Sequence, residues 1–142
     1  MTPTQRTLRY LKKDLGLMSG VVEKWIAFAK RKGGGRGIRK DLFGFIDIIA
    51  VNPRSGVIGV QSTGMDFSGH YQKITTEKHT EAVTWVCTPG AYLWLIGWRK
   101  VKKVRGGNQL IWKPRIYEFT VDDFIGLRNP SNAENNGCPK LR

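Results

Sequence analysis

Leu-Phe-Gly-Phe-Ile-Asp-Ile-Ile-Ala-Val, at residues 42–51, places one aspartate, Asp47, inside an otherwise apolar run. A second apolar stretch, Val-Ile-Gly-Val at residues 57–60, ends in Gln-Ser-Thr at residues 61–63. An ionised carboxylate is almost never fully buried without a partner, so Asp47 needs a neighbour that explains its position in a strand. The two stretches therefore predict a β-hairpin with a polar site built into it.

The register of this hairpin gives Asp47 a neighbour. If residues 52–56 form the loop and Val51 lies opposite Val57, Asp47 lies opposite Gln61, with Cβ atoms about 5 Å apart on one face of the sheet. The two-residue period of a strand adds Thr63 to that face. Carboxylate and amide oxygens are hard ligands that suit Mg²⁺. The hairpin therefore predicts a metal site.

Composition indicates one folded domain with a polyanionic partner. The chain has 142 residues, 40% of them hydrophobic, with five tryptophans and a formal net charge of +13. This length is enough for one buried core. So basic a chain favours nucleic acid, DNA or RNA, over a membrane surface, because no basic amphipathic helix stands out. We therefore expect no membrane partner.

Apolar segments and cysteines indicate a cytoplasmic protein. The longest apolar stretch, residues 91–98, falls well short of the roughly 20 residues that a membrane span requires. No apolar signal region follows the first residues. Cys87 and Cys138 are isolated from metal-ligand patterns, so we expect reduced cysteines and no zinc site, although one bridge between them remains an alternative.

Hydrophobic periodicity predicts an α/β domain over residues 1–122 and a polar, flexible C-terminal tail over residues 123–142. Val21 to Phe28 fits an edge strand, with a helix as the alternative. The predicted order is α-β-β-β-α-β-β, a mixed β-sheet flanked by helices. The predicted segments are a helix at 4–17, strands at 21–28, 42–51 and 57–63, a helix at 68–86, and strands at 91–99 and 110–120, with basic connections at 30–40 and 100–108.

Four segments together resemble a known family. They are Val22-Glu23-Lys24-Trp25, residues 39–47 (Arg-Lys-Asp-Leu-Phe-Gly-Phe-Ile-Asp), Val60-Gln61-Ser62-Thr63 and Gly97-Trp98-Arg99-Lys100. In this order they resemble small phage proteins of the PD-(D/E)XK nuclease superfamily, related in architecture to archaeal Holliday junction resolvases. The resemblance covers roughly residues 4 to 120 and implies a restriction-endonuclease-like fold.

The resemblance also implies a metal-dependent DNA endonuclease that hydrolyses phosphodiester bonds. Asp47 and Gln61 occupy the two metal-ligand positions for Mg²⁺ or Mn²⁺, although the family pattern has a glutamate where this chain has Gln61. Glu23 is a third candidate ligand if its strand lies beside Asp47, with a solvated surface position as the alternative. Thr63 falls where the family has a lysine, so another cation must substitute. Lys73 on the following helix is the first candidate, with Lys100 and Lys40 behind it.

Family analogy further implies branched DNA as the substrate and a homodimer as the active form, in a host cytoplasm if the chain is phage-encoded. Because the lysine is missing, the alternative is a catalytically inactive nucleic-acid-binding protein that retains the nuclease fold. A weaker alternative is a basic protein that binds another protein.

Basic side chains outside the hairpin are predicted to contact phosphates. Trp25 and Trp112, which are flanked by lysines, are candidates for base stacking, whereas Tyr92, Trp94 and Trp98 are expected in the core. The predicted nucleic-acid-binding residues are Lys30, Arg31, Lys32, Arg36, Arg39, Lys40, Arg99, Lys100, Lys102, Lys103 and Arg105.

Two further polar residues are expected to lie outside the metal site. Asp41 would lie about 20 Å from Asp47 along a straight strand, too far to share an ion unless the chain bends. A cap or a salt bridge to Arg39 is its expected role. His70 is expected at the surface rather than acting as a general base.

Overall fold

The computed structural model describes residues 1–27 and 37–125. Helix α1 spans Pro3–Arg9 and is extended by a π-helical segment at Tyr10–Asp14. The other elements are β1 (Met18–Val21), β2 (Lys24–Ala27), β3 (Gly37–Lys40), β4 (Ile48–Asn52), β5 (Gly56–Thr63), α2 (Phe67–Thr75), α3 (His79–Cys87), β6 (Ala91–Lys102), β7 (Leu110–Glu118) and α4 (Asp122–Ile125).

These elements form a mixed sheet flanked by helices, so the α/β class is confirmed. The main sheet has five strands in the order β1-β4-β5-β6-β7. Strands β5 and β6 are parallel, and the other neighbours in this sheet are antiparallel. Strands β2 and β3 form a separate antiparallel pair, which we call the β2–β3 ribbon.

The two faces of the main sheet carry separate core clusters because strand side chains alternate between faces. Leu95 packs with Ile74 of α2 and with residues of α3 on one face. The next residue, Ile96, packs with Leu11 of the π-helical segment on the other face. Trp98 joins this second cluster and is 6% exposed, as expected for a core aromatic.

The central hairpin has the predicted register. Val51 pairs with Val57 and Ile48 pairs with Val60 across β4 and β5. One residue further, the Asp47 amide donates to the Val60 carbonyl oxygen at 2.9 Å. Because Val60 already pairs with Ile48, Asp47 lies outside the strand pairing. Its predicted proximity to Gln61 is shown instead by a hydrogen bond of 2.8 Å from Gln61 Nε2 to Asp47 Oδ2.

The first part of the predicted strand at 42–51 is wrong, because residues 42–46 form a tight turn. Phe43 and Gly44 have φ angles of 56° and 81°. Two successive positive φ values are typical of a type I′ turn, which reverses the chain. Leu42 and Ile46 form an isolated antiparallel bridge across this turn, so β4 begins only at Ile48.

Both predicted basic connections are partly strand. Residues 37–40 form β3 of the ribbon, whereas Lys30, Arg31, Lys32 and Arg36 lie outside the described residues. Strand β6 continues to Lys102 because Val101 pairs with Ile111 of β7, so the basic connection begins later than expected. An additional strand, β1, occupies residues 18–21.

The predicted helix at 68–86 is interrupted at residues 76–78. The hydroxyls of Thr75 and Thr76 both donate to the Gln72 carbonyl oxygen, at 3.2 and 2.6 Å. Such side-chain bonds compete with the helical backbone pattern. The result is two nine-residue helices, α2 and α3.

The folded region extends past the predicted boundary at residue 122. Helix α4 spans Asp122–Ile125, and Phe124 is 7% exposed within the core. Residues 126–142 lie outside the described part, including Cys138. Cys87 is not a free thiol, which contradicts the expectation of reduced cysteines. Within residues 1–27 and 37–125, none of the helices has the length and apolar character needed to cross a bilayer.

Candidate metal centre

Asp47 is buried just before β4, with only 5% of its surface exposed. Its Oδ2 accepts a hydrogen bond from Gln61 Nε2 at 2.8 Å and from the Ser62 amide at 2.9 Å. These two donors partly offset the cost of removing the carboxylate from water. Gln61 is therefore the neighbour of Asp47 that the hairpin register predicted.

Asp41 also lies beside Asp47, which contradicts the expected separation of about 20 Å along a straight strand. The turn at 42–46 returns the chain on itself, with Leu42 N donating to Ile46 O at 2.9 Å and Ile46 N to Leu42 O at 3.0 Å. One carboxylate oxygen from each of Glu23, Asp41 and Asp47 lies within 4.8 Å of the others. We call these three residues the carboxylate cluster.

Glu23 reaches the cluster because the chain leaving β1 stays bonded to the start of β4. The Val22 amide donates to the Asp47 carbonyl oxygen at 2.9 Å, and Glu23 follows directly. Arg39 Nε lies 3.6 Å from Glu23 Oε1, so the salt bridge expected between Arg39 and Asp41 forms with Glu23 instead. The side chain of Glu23 is only 15% exposed.

This environment raises the pKa of Asp47 to about 8, from an ordinary value of 3.8. Burial is the largest cause, followed by a hydrogen bond shared with the Asp41 carboxyl group. The Ser62 amide opposes the rise, and the negative charges of Asp41 and Glu23 add to it. Without a cation, Asp47 therefore holds a proton at neutral pH, and a bound cation would compete with that proton.

Gln61, whose Nε2 contacts the cluster at Asp47, also has an unsatisfied oxygen. The residue is 3% exposed, and its Oε1 has no hydrogen-bond partner among the residues that the structure describes. An unpaired buried carbonyl costs about 1–3 kcal/mol, which coordination to a cation would offset. Three carboxylates and one carbonyl form an all-oxygen donor set, which fits Mg²⁺ or Mn²⁺ better than zinc.

Thr63, at the position where the resemblance expects a lysine, is 5% exposed. Its Oγ1 lies 3.1 Å from Nδ1 of His70, and that nitrogen lies 2.7 Å from the Asp66 carbonyl oxygen. This hydroxyl is therefore tied to α2. His70 is half-buried rather than at the open surface, and its ring contacts Thr63.

The structure does not bring the candidate lysines into contact with the cluster. Among the described residues, one ion pair involves a lysine or an arginine, and it joins Arg39 to Glu23. The groups that shift the pKa of Asp47 include no cation. Lys73 lies half-buried on α2, Lys40 pairs opposite Lys24, and Lys100 Nζ lies 5.1 Å from the Trp112 ring.

The predicted nucleic-acid contacts that the structure describes lie on or next to two strand pairs. Arg39 and Lys40 are exposed on β3, beside Trp25, which is 56% exposed. The remaining residues are exposed on β6 or in the connection that follows it. They are Arg99, Lys100, Lys102, Lys103 and Arg105.

Sequence reasoning missed two arrangements. Asp41 was set aside, although Gly44 within the apolar run is a signal for a turn or bulge. Arg6 was not considered, yet its guanidinium stacks on Trp112 with Cζ 3.7 Å from the ring centroid. No local pattern indicates this second contact, because the two residues are far apart in the sequence.

In comparisons with known proteins, the chain matches no family model, no curated protein and no solved structure. The features of the chain that bear on function are therefore the carboxylate cluster and the net charge of +13.

Proposed function

We propose that this protein is a metal-dependent DNA endonuclease with a restriction-endonuclease-like fold. The observation that carries the proposal is the convergence of Glu23, Asp41 and Asp47 beside the unpaired Oε1 of Gln61. The net charge of +13 supplies the attraction for a polyanionic substrate.

The order of the elements supports the proposed fold. Apart from the inserted β2–β3 ribbon and α4, the chain runs through a helix, three strands of the main sheet, a helical pair and two more strands. This order is similar to the α-β-β-β-α-β-β order predicted from the sequence, although the first strand of the main sheet is β1 rather than the strand predicted at 21–28. Of the two central polar residues, Gln61 lies on β5 and Asp47 directly precedes β4 of the antiparallel hairpin.

The proposed ligands for Mg²⁺ or Mn²⁺ are Asp47, Glu23 and Gln61, with Asp41 beside them. The ion would neutralise phosphoryl oxygens and lower the pKa of a bound water. The chain's own contributions are to orient the Asp47 carboxylate through Gln61 and Ser62, and to bind the flanking phosphates through Arg39, Lys40 and the basic residues of β6. Lys73 remains the proposed cation for the reaction.

Cleavage assays on linear, single-stranded and four-way DNA, with Mg²⁺, Mn²⁺ or EDTA, test this proposal. We expect cleavage that requires the metal and is lost in Asp47→Ala. Asp14→Ala is a matched control, because Asp14 is an exposed carboxylate at the end of the π-helical segment. Intact DNA with both metals, or full activity in Asp47→Ala, would contradict an endonuclease with this site. Sedimentation with four-way DNA tests for the homodimer.

A second candidate function is a nucleic-acid-binding protein that retains the fold without cleavage. The observation that favours it is Thr63, whose hydroxyl is bonded to His70 where a nuclease of this type would place a lysine. Retarded but intact DNA in the same assays would support this function. Absence of DNA binding at low salt would contradict both candidates and favour a protein partner.

A further inference from the structure

We propose that Asp41 supplies the negative charge that Gln61 does not, so that Glu23, Asp41 and Asp47 are the anionic ligands of one hard divalent cation. This inference rests on the proposed metal site and deepens it. The side chain comes from a different part of the fold than the second strand of the hairpin, where the resemblance implies the acidic partner of Asp47.

The backbone holds Asp41 at this position from two directions. The turn at 42–46 connects Asp41 to Asp47, with the Gly44 amide donating to the Asp41 carbonyl oxygen at 3.1 Å. In the ribbon, Lys24 pairs with Lys40, and continuing this register by one residue sets Glu23 opposite Asp41. Both acidic side chains therefore reach Asp47 from ordered strand ends.

The side-chain oxygen of Gln61 gives independent evidence for a cation at this site. Only 3% of the residue is exposed, and its Nε2 donates to Asp47, while Oε1 has no partner within residues 1–27 and 37–125. Buried polar atoms in native proteins nearly always have a partner. A cation among the three carboxylates would give Oε1 a partner, as a neutral ligand.

The charges of the four side chains favour this assignment. Three ionised carboxylates within 4.8 Å repel one another unless a cation neutralises them. Among the ion pairs of the described residues, Arg39 is paired with Glu23 and not with Asp41 or Asp47. A glutamate at position 61 would add a fourth negative charge to a site for a divalent ion. Asp41 and an acidic residue at position 61 are therefore alternative sources of one charge.

Mn²⁺ binding by the full-length protein, measured by calorimetry without nucleic acid, tests the inference. We expect Asp41→Asn to weaken Mn²⁺ binding about tenfold or more. Gln61→Glu should restore the affinity of the Asp41→Asn variant to within about threefold of the original, a difference of less than 1 kcal/mol. In the unaltered background, Gln61→Glu should not strengthen binding. Asp14→Asn is the control and should leave the affinity unchanged.

Either of two results would overturn the inference. One is an unchanged Mn²⁺ affinity in Asp41→Asn, and the other is a double variant that binds as weakly as Asp41→Asn alone. Thermal unfolding of each variant in EDTA shows whether it is folded. If one single variant does not fold, comparison of the other with the double variant still reports whether the charge at position 61 compensates.

These binding results separate the inference from the nuclease proposal. Restored Mn²⁺ affinity in the double variant, together with DNA that stays intact, would support the ligand assignment and contradict the endonuclease. Metal-dependent cleavage that is lost in Asp47→Ala, together with an Asp41→Asn protein of unchanged Mn²⁺ affinity, would support the endonuclease and contradict the role of Asp41.

Discussion

A single buried carboxylate, Asp47, can be neutralised by a proton or by a cation. Burial and the neighbouring acids raise its pKa to about 8, so the proton is retained at neutral pH when no cation is bound. The two donors on Oδ2, Gln61 and the Ser62 amide, keep the group in one orientation in either state. A proton and the proposed metal ion would therefore compete for Asp47, so that pH would control metal binding.

In EDTA, we expect the protein to be less stable at pH 8 than at pH 5. The pKa of Asp47 is about 8 in the folded state and about 3.9 in an unfolded chain, so the folded state binds the proton more tightly. The stabilisation is fully present below the unfolded value and is lost as the pH rises through the folded value. Chemical denaturation at both pH values should show a free energy of unfolding that is several kcal/mol lower at pH 8 than at pH 5.

Asp47→Asn should remove most of this pH dependence, because an amide does not titrate. Asp14→Asn should preserve it, since Asp14 is exposed. If the free energy of unfolding changes equally with pH in the unaltered protein and in Asp47→Asn, another group is responsible for the pH dependence.

A second buried polar contact holds α1 against the sheet. The Thr7 hydroxyl lies 2.8 Å from Ser62 Oγ and accepts a hydrogen bond from Trp98 Nε1 at 2.8 Å. We expect Thr7→Val to lower the free energy of unfolding by about 1–3 kcal/mol, because it leaves buried partners unsatisfied. Urea denaturation measures this loss, and Thr80→Val at an exposed position should change little. An unchanged free energy of unfolding in Thr7→Val would mean that these hydroxyls make no net contribution to stability.

At the scale of elements, the turn at 42–46 determines which side chains share the site. The hairpin register could be predicted, because Val51 and Val57 flank a loop and the apolar runs match across it. The turn could not be distinguished from a strand by hydrophobicity, because Leu42 and Ile46 are as apolar as a strand requires. Only Gly44 marked the difference, and it provided the φ of 81°.

Gly44→Ala should destabilise the protein by about 1–2 kcal/mol, because an L-residue at this positive φ is strained. It should also weaken Mn²⁺ binding by displacing Asp41. Gly16→Ala is the matched control, since Gly16 has a φ of 66° with no atom within 4 Å of an added Cβ. Both variants should lose stability in chemical denaturation, and calorimetry should show weaker Mn²⁺ binding only in Gly44→Ala.

Equal Mn²⁺ affinity in the two glycine variants would mean that the turn does not position Asp41.

The β2–β3 ribbon shows another limit of sequence reasoning. Its second strand, residues 37–40, is mostly polar and basic, so it resembles a loop in composition. Its pairing with β2 depends on backbone hydrogen bonds that no side-chain pattern reports.

In the whole molecule, basic side chains lie on both sides of the carboxylate cluster. Strand β4 begins at the end of the main sheet where β1 and β5 end, and the ribbon starts from there. Strand β6 runs parallel to β5 and continues past Gly97, the last residue paired with it, to Lys102. The two basic strand pairs therefore leave the same end of the sheet, on opposite sides of Asp47.

Reversing charges on either strand pair should weaken DNA binding about tenfold or more. The slope of log K against log salt concentration should become less steep by about two, which corresponds to the loss of about two phosphate contacts. The test variants are Lys24→Glu with Lys40→Glu, and Lys102→Glu with Lys103→Glu. Fluorescence anisotropy with labelled duplex DNA in EDTA measures binding without cleavage.

The control variant, Lys13→Glu with Arg54→Glu, carries the same change in net charge. Both residues are exposed, and Arg54 lies in the hairpin loop at the opposite end of the sheet. We expect a smaller loss of affinity in this control. An equal loss in all three variants would show that total charge, rather than its placement, determines binding.

The candidate ligands come from two separate sheets, and this has a mechanical consequence. Gln61 belongs to the five-stranded sheet and Asp47 directly precedes β4, whereas Glu23 and Asp41 adjoin the ends of the β2–β3 ribbon, whose side chains are largely exposed. A two-stranded ribbon is marginally stable by itself. A cation coordinated by ligands from both parts would hold the β2–β3 ribbon against the main sheet. Chelation would therefore remove the proposed reactive centre and also increase the mobility of the ribbon, which carries Trp25 and Lys40.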